Sequence, residues 1–429
     1  MKKVDAFQSA MELLLNKDEE ALFERARKKG WECFQKLGSP TRKSEAFQYL
    51  KLSSILHENY AQPVDNEADI SEENWIPESK GSRLLFHQGS YKAEKSDRSS
   101  LPSQVIILPL SAAVNTYGTL LNNQWNQTLK EEKDSFAALN LALHREGIFI
   151  YIPPKTILEN PIHLLQLLES RGLSTIAFPR IHLFVGAHAE VTLVSTQKFL
   201  NSHSANNSVW HLAIEEGAHV NLIQESWEAP ESCWFFEAVR ATLKRDAHLT
   251  CTQATDGSIA TRFDYQVQLL GENSEVTLQG LSLVREKQES HQHLIIEHHA
   301  PHCLSNQLFK SVLNDYARTS FEGKIFVHRA AQKTEAYQLN NNILLSDKAQ
   351  AYSKPNLEIF ADDVKASHGA TIGHLDKEQE FYLRTRGLDA QTARSALIQG
   401  FCQEVIEKIN IQSIREQWKN QVSRFFRAV

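Results

Sequence analysis

The sequence predicts a mainly β protein that is built on a parallel β-helix and flanked by helical regions at both ends. Between about residue 160 and residue 375, short strands alternate with turns and helical periodicity almost vanishes. A five-residue pattern recurs in this region, and successive copies begin 29, 29 and 27 positions apart. A helix-free repeat of this length is typical of a solenoid in which each coil stacks on the one before it. The copies are Ala189–Leu193, Ala218–Leu222, Ala247–Cys251 and Ser274–Leu278.

A β-sandwich is the alternative fold, because it also consists of short strands and turns. The β-helix makes the more specific prediction, since residues at the same place in the repeat must then stack in one inward-facing row. Burial of each member would stabilise the fold by roughly 1.5–3 kcal/mol. The predicted row is Val191, Val220, Leu249 and Val276. Weaker copies of the pattern are expected near Cys303, Ala331 and Ala361.

Residues 1–150 are predicted to form a helical domain with a few strands. An apolar stripe at helical spacing extends over residues 11–37. A second helix is expected over residues 134–144, and short strands are expected at residues 105–110 and 148–152. The β-helix core is predicted to occupy residues 151–375.

Residues 376–429 are predicted to form a C-terminal helical domain. Asp376 and Asp389 are expected to cap two helices, and Gly387 is expected to end the first one. Apolar residues recur every four positions over residues 393–409 and form a stripe wider than one contact face. Such a stripe either packs within a helical domain or contacts a partner.

Composition narrows the class of protein. No apolar run in the 429 residues approaches the length of a membrane span, and the N-terminus lacks a cleavable-signal pattern, so we expect a cytoplasmic protein. The net charge of −6 argues against a nucleic-acid backbone as the main partner. The number of cysteines is odd and none forms a C-x-x-C pair, so we expect free, mostly buried thiols. They are Cys33, Cys233, Cys251, Cys303 and Cys402.

Motifs for nucleotide or peptide-bond chemistry are absent from the sequence. It contains no G-x-x-x-x-G-K-[ST] phosphate loop, no G-x-S-x-G elbow and no H-E-x-x-H zinc motif. We therefore expect no ATP site in this chain and no enzyme of these classes.

The densest candidate metal site is HQHLIIEHHAPHC, at positions 291–303. Imidazoles and a thiolate bind zinc, copper or iron, so a stand-alone metal-binding protein is one hypothesis. Strand alternation, however, places His298 and His299 on opposite faces. Histidines stacked along a solenoid or hydrogen-bonded at turns explain the run equally well. The candidate ligands are His291, His293, His298, His299, His302 and Cys303.

A second candidate site lies between Lys354 and Leu375. The sequence predicts a turn at residues 354–356 and a strand over residues 357–361, followed by an acidic pair. His368 is expected at the end of a strand, among small residues. Small neighbours allow another backbone to approach the imidazole, which can ligate a metal or move a proton. A structural or solvated histidine is the simpler alternative.

The run LEIFADDVKASHGAT, residues 357–371, resembles the signature of the SufB/SufD family of iron–sulfur cluster assembly scaffolds, in its SufD form. The resemblance covers nearly the whole chain and is densest from Asn306 to Leu388. His368 is followed by Gly369, and Asn341 stands about where SufB carries an essential cysteine, so both features favour SufD. Ala366 replaces a cysteine that the family often has two residues before the histidine.

The resemblance implies a right-handed parallel β-helix and a non-enzymatic scaffold subunit. It implies a SufB-like partner that pairs through β-helix edges, and a SufC ATPase bound by the helices of residues 376–429. It also implies a transient iron–sulfur cluster shared with SufB, with His368 as a ligand or as a group that positions one. We further expect the isolated chain to be able to form a homodimer.

A polysaccharide-acting enzyme is the remaining hypothesis, because β-helices often cleave sugar chains with paired carboxylates. Asp362 and Asp363 are the obvious pair. Adjacent residues of a strand face opposite sides, however, which is the wrong geometry for joint action on one bond.

Overall fold

Two long, mostly parallel sheets face each other across one apolar core and form a β-helix. The computed structural model describes residues 6–15, 23–64, 70–170, 173–230 and 232–427. Sheet 1 contains, in spatial order, β2 (Ser90–Tyr91), β1 (Arg83–His87), β5 (Ile162–Leu168), β8 (Glu190–Phe199), β10 (His219–Ser226), β12 (His248–Thr255), β14 (Glu275–Val284), β16 (Leu304–Leu313), β18 (Thr334–Leu344) and β20 (Val364–Gly373). Sheet 2 contains β19 (Gln350–Ile359), β17 (Arg318–Val327), β15 (Glu289–His298), β13 (Ala260–Leu269), β11 (Trp234–Leu243), β9 (Ser204–Ile214), β7 (Arg180–Val185), β4 (Ile148–Ile152) and β3 (Ile106–Pro109), with β6 (Thr175–Ala177) paired to β9.

Helices flank this core in both directions along the chain. The α-helices are α1 (Ala6–Leu15), α2 (Glu24–Leu37), α3 (Ser53–Leu56), α4 (Leu110–Glu131), α5 (Ser135–Leu143), α6 (Lys377–Thr385), α7 (Ala390–Ile406) and α8 (Gln412–Arg427). Short 3-10 helices lie at Glu45–Phe47, Glu72–Asn74, Pro77–Ser79 and Ala93–Lys95. The sequence reasoning did not predict α4, whose apolar residues are sparse and whose backbone is kinked at Tyr117.

The predicted stacking is confirmed. Val191, Val220, Leu249 and Val276 occupy neighbouring positions on β8, β10, β12 and β14, and each is at most 3 % exposed. All four belong to the core between the two sheets. The β-helix is therefore the fold, and the β-sandwich alternative is wrong.

The turn that precedes each strand of sheet 1 also repeats. The residues at this place in successive coils stack on one another, and Cys303 follows Ser274 among them, as predicted. The next two members are Thr334 and Val364, three residues beyond the predicted positions at Ala331 and Ala361. Both positions are three residues early because the coil from Cys303 to Thr334 has 31 residues and the prediction allowed only 28, whereas the next coil has 30 residues as predicted.

The outer face of sheet 2 is covered by the N-terminal helices. Phe136 of α5 packs edge-on against Phe236 of β11, with ring centroids 4.7 Å apart. Beneath them, Arg240 of β11 lies between Glu132 at 2.8 Å and Asp264 of β13 at 2.6 Å. Burial opposes ionisation of Asp264, but Arg240 and a second arginine outweigh it and hold its pKa well below the usual range. This network fixes the N-terminal region to the sheet.

The outer face of sheet 1 is covered by the C-terminal helices. Ile398 and Cys402 of α7 and Trp418 of α8 pack against Val194 and Ile223 of the sheet. The wide apolar stripe of this region therefore contacts the chain's own β-helix. The two predicted caps are confirmed, since each aspartate accepts from backbone amides of the helix that follows it.

The predicted domain boundary at residue 151 lies within β4. β1 and β3 precede this position, and all three strands, β1, β3 and β4, are paired into the two sheets. The first coils of the solenoid thus draw on residues on both sides of that position.

The buried carboxyl of Glu237, on β11, makes the stability of the fold depend on pH. Its Oε1 accepts hydrogen bonds from Ser208 Oγ at 3.1 Å and from Trp210 Nε1 at 2.5 Å. Burial raises the pKa of Glu237 to about 7. Because the folded pKa lies above the unfolded one, the carboxyl's contribution to stability is complete below about pH 4 and is lost as the pH rises through 7.

Replacing Glu237 by glutamine keeps the shape and an acceptor oxygen but removes this titration. We expect the stability of Glu237→Gln relative to the parent to increase by roughly 1 kcal/mol per pH unit between pH 5 and pH 7, and then to level off. Urea unfolding at several pH values measures it. The exposed Glu190→Gln is the control, and equal slopes for both variants would contradict the prediction.

Candidate functional site

The last coil leaves two sheet edges open. β20 pairs only with β18, and β19 pairs only with β17, within the described residues. The side chains of both strands are exposed or half-buried along their whole length. An open edge is a template for pairing with another chain. We therefore take this end of the β-helix, β19 and β20, as the candidate site and call it the open end.

The predicted turn at residues 354–356 is wrong, because β19 continues through it. Pro355 lies in the middle of the strand, opposite Gly323 of β17. A proline inside a strand is tolerated at an edge, where a missing N–H removes no ladder hydrogen bond. The residue that read as a turn signal therefore marks the edge of sheet 2.

His368 lies on β20 opposite Gln338 of β18, in a row that faces the space between the sheets. The same row is apolar through the earlier coils and becomes polar at Gln307. The histidine is therefore the last member of an inward-facing row, placed at the mouth of the solenoid interior. The row is Leu193, Leu222, Cys251, Leu278, Gln307, Gln338 and His368.

The surroundings of His368 leave the imidazole accessible. Gln338 Nε2 donates to Gln307 Oε1 at 2.7 Å, while the buried Gln338 Oε1 has no hydrogen-bond partner among the described residues. His368 itself is exposed, and Ala366 and Ala370 flank it on the same face of the strand. A group from another chain can thus reach the imidazole. Its role as a ligand stays a prediction.

The outward face holds β20 in place. Lys365 Nζ donates to Glu335 Oε1 at 2.9 Å, and Thr371 Oγ1 donates to Asn341 Oδ1 at 2.9 Å. Asn341 therefore faces away from the interior, on the opposite side of sheet 1 from His368. Asn341 and His368 therefore do not form one site within this chain.

The cysteines are free, and four of the five are buried, as predicted. Burial raises the pKa of Cys233 to about 11 and that of Cys402 to about 12. These thiols are therefore protonated at neutral pH and poor metal ligands. None of the five lies on the last two coils.

The histidines of positions 291–303 do not converge on one point. His291 is buried between Ser320 Oγ at 2.7 Å and Glu289 Oε2 at 3.1 Å, and His293 pairs with Asp264. His298 faces the interior, where its Nε2 lies 2.9 Å from Ser305 Oγ. Burial lowers the pKa of His298 to about 3, so it stays neutral.

The two remaining members at the end of that run are also separate. His302 lies 3.8 Å from Glu272, and the Cys303 thiol donates to Gly271 O at 3.3 Å. The prediction that alternation separates His298 from His299 is confirmed. No shared site of these six residues exists.

His299 instead meets two residues that the sequence reasoning did not single out, Glu297 and His328. His328 follows His299 by 29 positions, which is the length of the repeat. Applying the repeat period to every histidine would have found this pair.

Asp362 and Asp363 lie in the turn between β19 and β20, and both are exposed. The expectation that they belong to a strand is therefore wrong, and the argument from strand alternation does not apply to them.

Helix α6 is the exposed part of the C-terminal region. None of its residues is buried, and its side chains Phe381 and Tyr382 are 67 % and 57 % exposed. Helices α7 and α8, by contrast, bury their apolar residues against sheet 1. Among the helices that the structure describes, none has both the length and the apolar character needed to cross a membrane.

Comparison with known proteins agrees with this architecture. Residues 167–401 match the family described as SUF system FeS cluster assembly, SufBD core domain, and residues 2–164 match the SufBD protein N-terminal region. An iron–sulfur cluster assembly SufBD family protein of Synechocystis is 30 % identical over 90 % of this chain and 87 % of its own length.

Two further relatives cover similar lengths. The iron–sulfur cluster assembly protein SufD of Escherichia coli is 29 % identical over 89 % of this chain and 88 % of its own length. A chloroplastic protein of Arabidopsis thaliana named ABCI7 is 30 % identical over 89 % of this chain and 82 % of its own length. This chain belongs to the SufBD family of the SUF iron–sulfur cluster assembly system and is of the SufD type.

Proposed function

We propose that this chain is a non-enzymatic scaffold subunit of a SufB–SufC–SufD complex, in which iron–sulfur clusters are assembled for transfer to apo-proteins. Membership of the SufBD family and the similarity to a protein named SufD support this proposal. The single observation that carries it is the open end, where two unpaired edges flank the exposed His368.

The open end is the proposed surface for a SufB-like subunit. A partner's edge strands can continue both sheets, because β19 and β20 each have a strand on one side only. Ile372 of β20 is 48 % exposed and Leu339 of β18 is 37 % exposed, so pairing would also bury apolar surface. The same two edges can pair with a second copy when the chain is isolated.

His368 is the proposed contribution of this chain to the shared cluster, which is the cargo of the complex. A neutral imidazole is a competent ligand for iron, although thiolates are commoner in clusters. This chain places no cysteine on its last two coils, so the SufB-like partner would supply the thiolates. If His368 does not bind iron directly, it positions a ligand of the partner through a hydrogen bond.

The SufC ATPase would bind the C-terminal region, at α6. The apolar side chains of α7 and α8 are occupied by sheet 1, so Phe381 and Tyr382 are the exposed aromatic residues of this region. Truncation after Asp376 would also uncover sheet 1, including the buried Glu225 that accepts from Trp418 Nε1 at 2.7 Å. Point substitutions on α6 are therefore the sharper test.

Two other functions lead to different observations. Metal bound in a fixed ratio by the isolated chain without any role in cluster assembly would favour the stand-alone metal-binding protein. Cleavage of sugar chains by the isolated protein would favour an enzyme.

Free thiols fit the reducing cytoplasm that we predicted as the location.

Replacing His368 by alanine tests the site. We expect His368→Ala to assemble with SufB and SufC in normal stoichiometry, because the backbone edge is unchanged. Cluster yield should fall roughly tenfold or more, the usual scale for removing a metal ligand or its positioning group. Iron and acid-labile sulfide per complex measure the yield, and size-exclusion chromatography measures assembly.

His374→Ala is the matched control, since this exposed histidine of the same sheet end hydrogen-bonds Leu344 O at 2.9 Å. It should leave cluster yield unchanged. A normal yield in His368→Ala would refute the role of the histidine, and a complex that falls apart would make it an interface residue instead.

A double substitution, Phe381→Ala with Tyr382→Ala, tests the ATPase surface. We expect the dissociation constant for SufC to rise by roughly tenfold or more, because exposed aromatic residues dominate such interfaces. Titration calorimetry with purified SufC measures this. Tyr316→Ala, which removes an aromatic residue 52 % exposed at a solenoid turn, should bind SufC like the parent. Unchanged affinity in the double variant would rule out α6.

A further inference from the structure

Glu297, His299 and His328 form a compact group on the outer side of sheet 2. Glu297 lies near the end of β15, His299 immediately follows that strand, and His328 immediately follows β17. The two histidines are neighbours because the coils are in register, and His328 N donates to His298 O at 3.0 Å. Their rings stack with centroids 4.1 Å apart and planes inclined by 23°.

The three potential ligand atoms, one from each residue, lie close together. Glu297 Oε2 lies 3.2 Å from His299 Nε2 and 3.7 Å from His328 Nε2, and all three atoms lie within 4.8 Å of one another. Ligands that surround a tetrahedral ion at 2.0–2.1 Å are separated by about 3.3 Å. The observed distances therefore need only a small adjustment to enclose an ion.

A second observation also indicates a ligand. His328 Nε2 is buried and has no hydrogen-bond partner among the described residues, although it faces the carboxylate of Glu297. Buried polar atoms are nearly always satisfied, whereas the contact of this nitrogen with Glu297 Oε2, at 3.7 Å, is longer than a hydrogen bond. A bound metal ion would supply the missing partner.

We propose that Glu297, His299 and His328 bind a divalent first-row transition-metal ion such as Zn²⁺ or Fe²⁺. Two imidazoles and one carboxylate suit these ions, whereas Mg²⁺ and Ca²⁺ prefer oxygen ligands alone. The side chains are 30–37 % exposed and line a groove of about 640 Å³, so water can occupy the remaining coordination positions.

A second group of two histidines and one glutamate differs from the proposed metal site in how its residues are arranged. His219 and His248 also stack, with ring centroids 4.4 Å apart, and His248 Nδ1 lies 3.1 Å from Glu275 Oε2. There, the three residues come from three successive coils, so His248 lies between His219 and Glu275. At the proposed site the carboxylate comes from the same coil as His299 and reaches both imidazoles.

The test uses the full-length chain alone, freed of metal by a chelator and titrated with Co²⁺ as a spectroscopic probe. We expect one ion per chain with visible d–d absorption, displaced by Zn²⁺. His299→Ala, His328→Ala and Glu297→Gln should each weaken Co²⁺ binding at least about tenfold. Glu297→Gln is nearly isosteric and keeps the test decisive if a histidine variant fails to fold, which circular dichroism reports.

His248→Ala is the matched control and should bind Co²⁺ like the parent. Absence of Co²⁺ binding by the parent, or unchanged binding in the three variants, would overturn the proposal. Equal loss in His248→Ala would do the same, since it would indicate unspecific binding to surface histidines. The proposal does not depend on the role of His368: His368→Ala should bind Co²⁺ normally, so each hypothesis can fail without the other.

Discussion

Every feature of this protein depends on the in-register stacking of its coils. From β4 onward, parallel pairing places each residue of a strand directly beside its counterpart, 26 to 33 positions away, on the same face of the sheet. Side chains at the same place in successive coils therefore stack in rows that face the same side of the sheet. Val191 and its partners form the core in this way, and His182 and His211, with ring centroids 4.9 Å apart, form one of several stacked pairs.

The same stacking creates a problem at the ends, because a solenoid always has edges and two outer faces. The N-terminal region closes much of sheet 2 through aromatic packing and the buried arginine–carboxylate network around Arg240. The C-terminal helices close sheet 1 through Trp418 and its neighbours. The helices cover the outer faces of both sheets but leave the edges of β19 and β20 open. Another subunit can therefore attach at these edges.

The interior also changes toward the open end. Early coils fill the space between the sheets with leucine, isoleucine and valine, whereas β18 contributes Gln338, Asn340 and Asn342. Polar side chains in this position contribute less burial energy than aliphatic ones and need hydrogen-bond partners. The last coil is therefore the least self-sufficient part of the β-helix. A partner that extends both sheets would supply the missing burial and leave His368 between the two chains.

The sequence by itself favoured the β-helix over a β-sandwich and determined its first inward row and the helix caps, because these depend on periodicity and on local hydrogen bonds. It placed His368 at the end of a strand, which is wrong, because β20 continues to Gly373 and the histidine lies in its middle. It misread Pro355 as a turn, since only the pairing shows that β19 has a free side on which a proline is tolerated. It missed α4 and the meeting of His299 with Glu297 and His328. The register of the strands decides whether two residues 29 positions apart are in contact. The packing of distant segments decides which faces of the sheets remain exposed. Only the tertiary structure therefore supplied both.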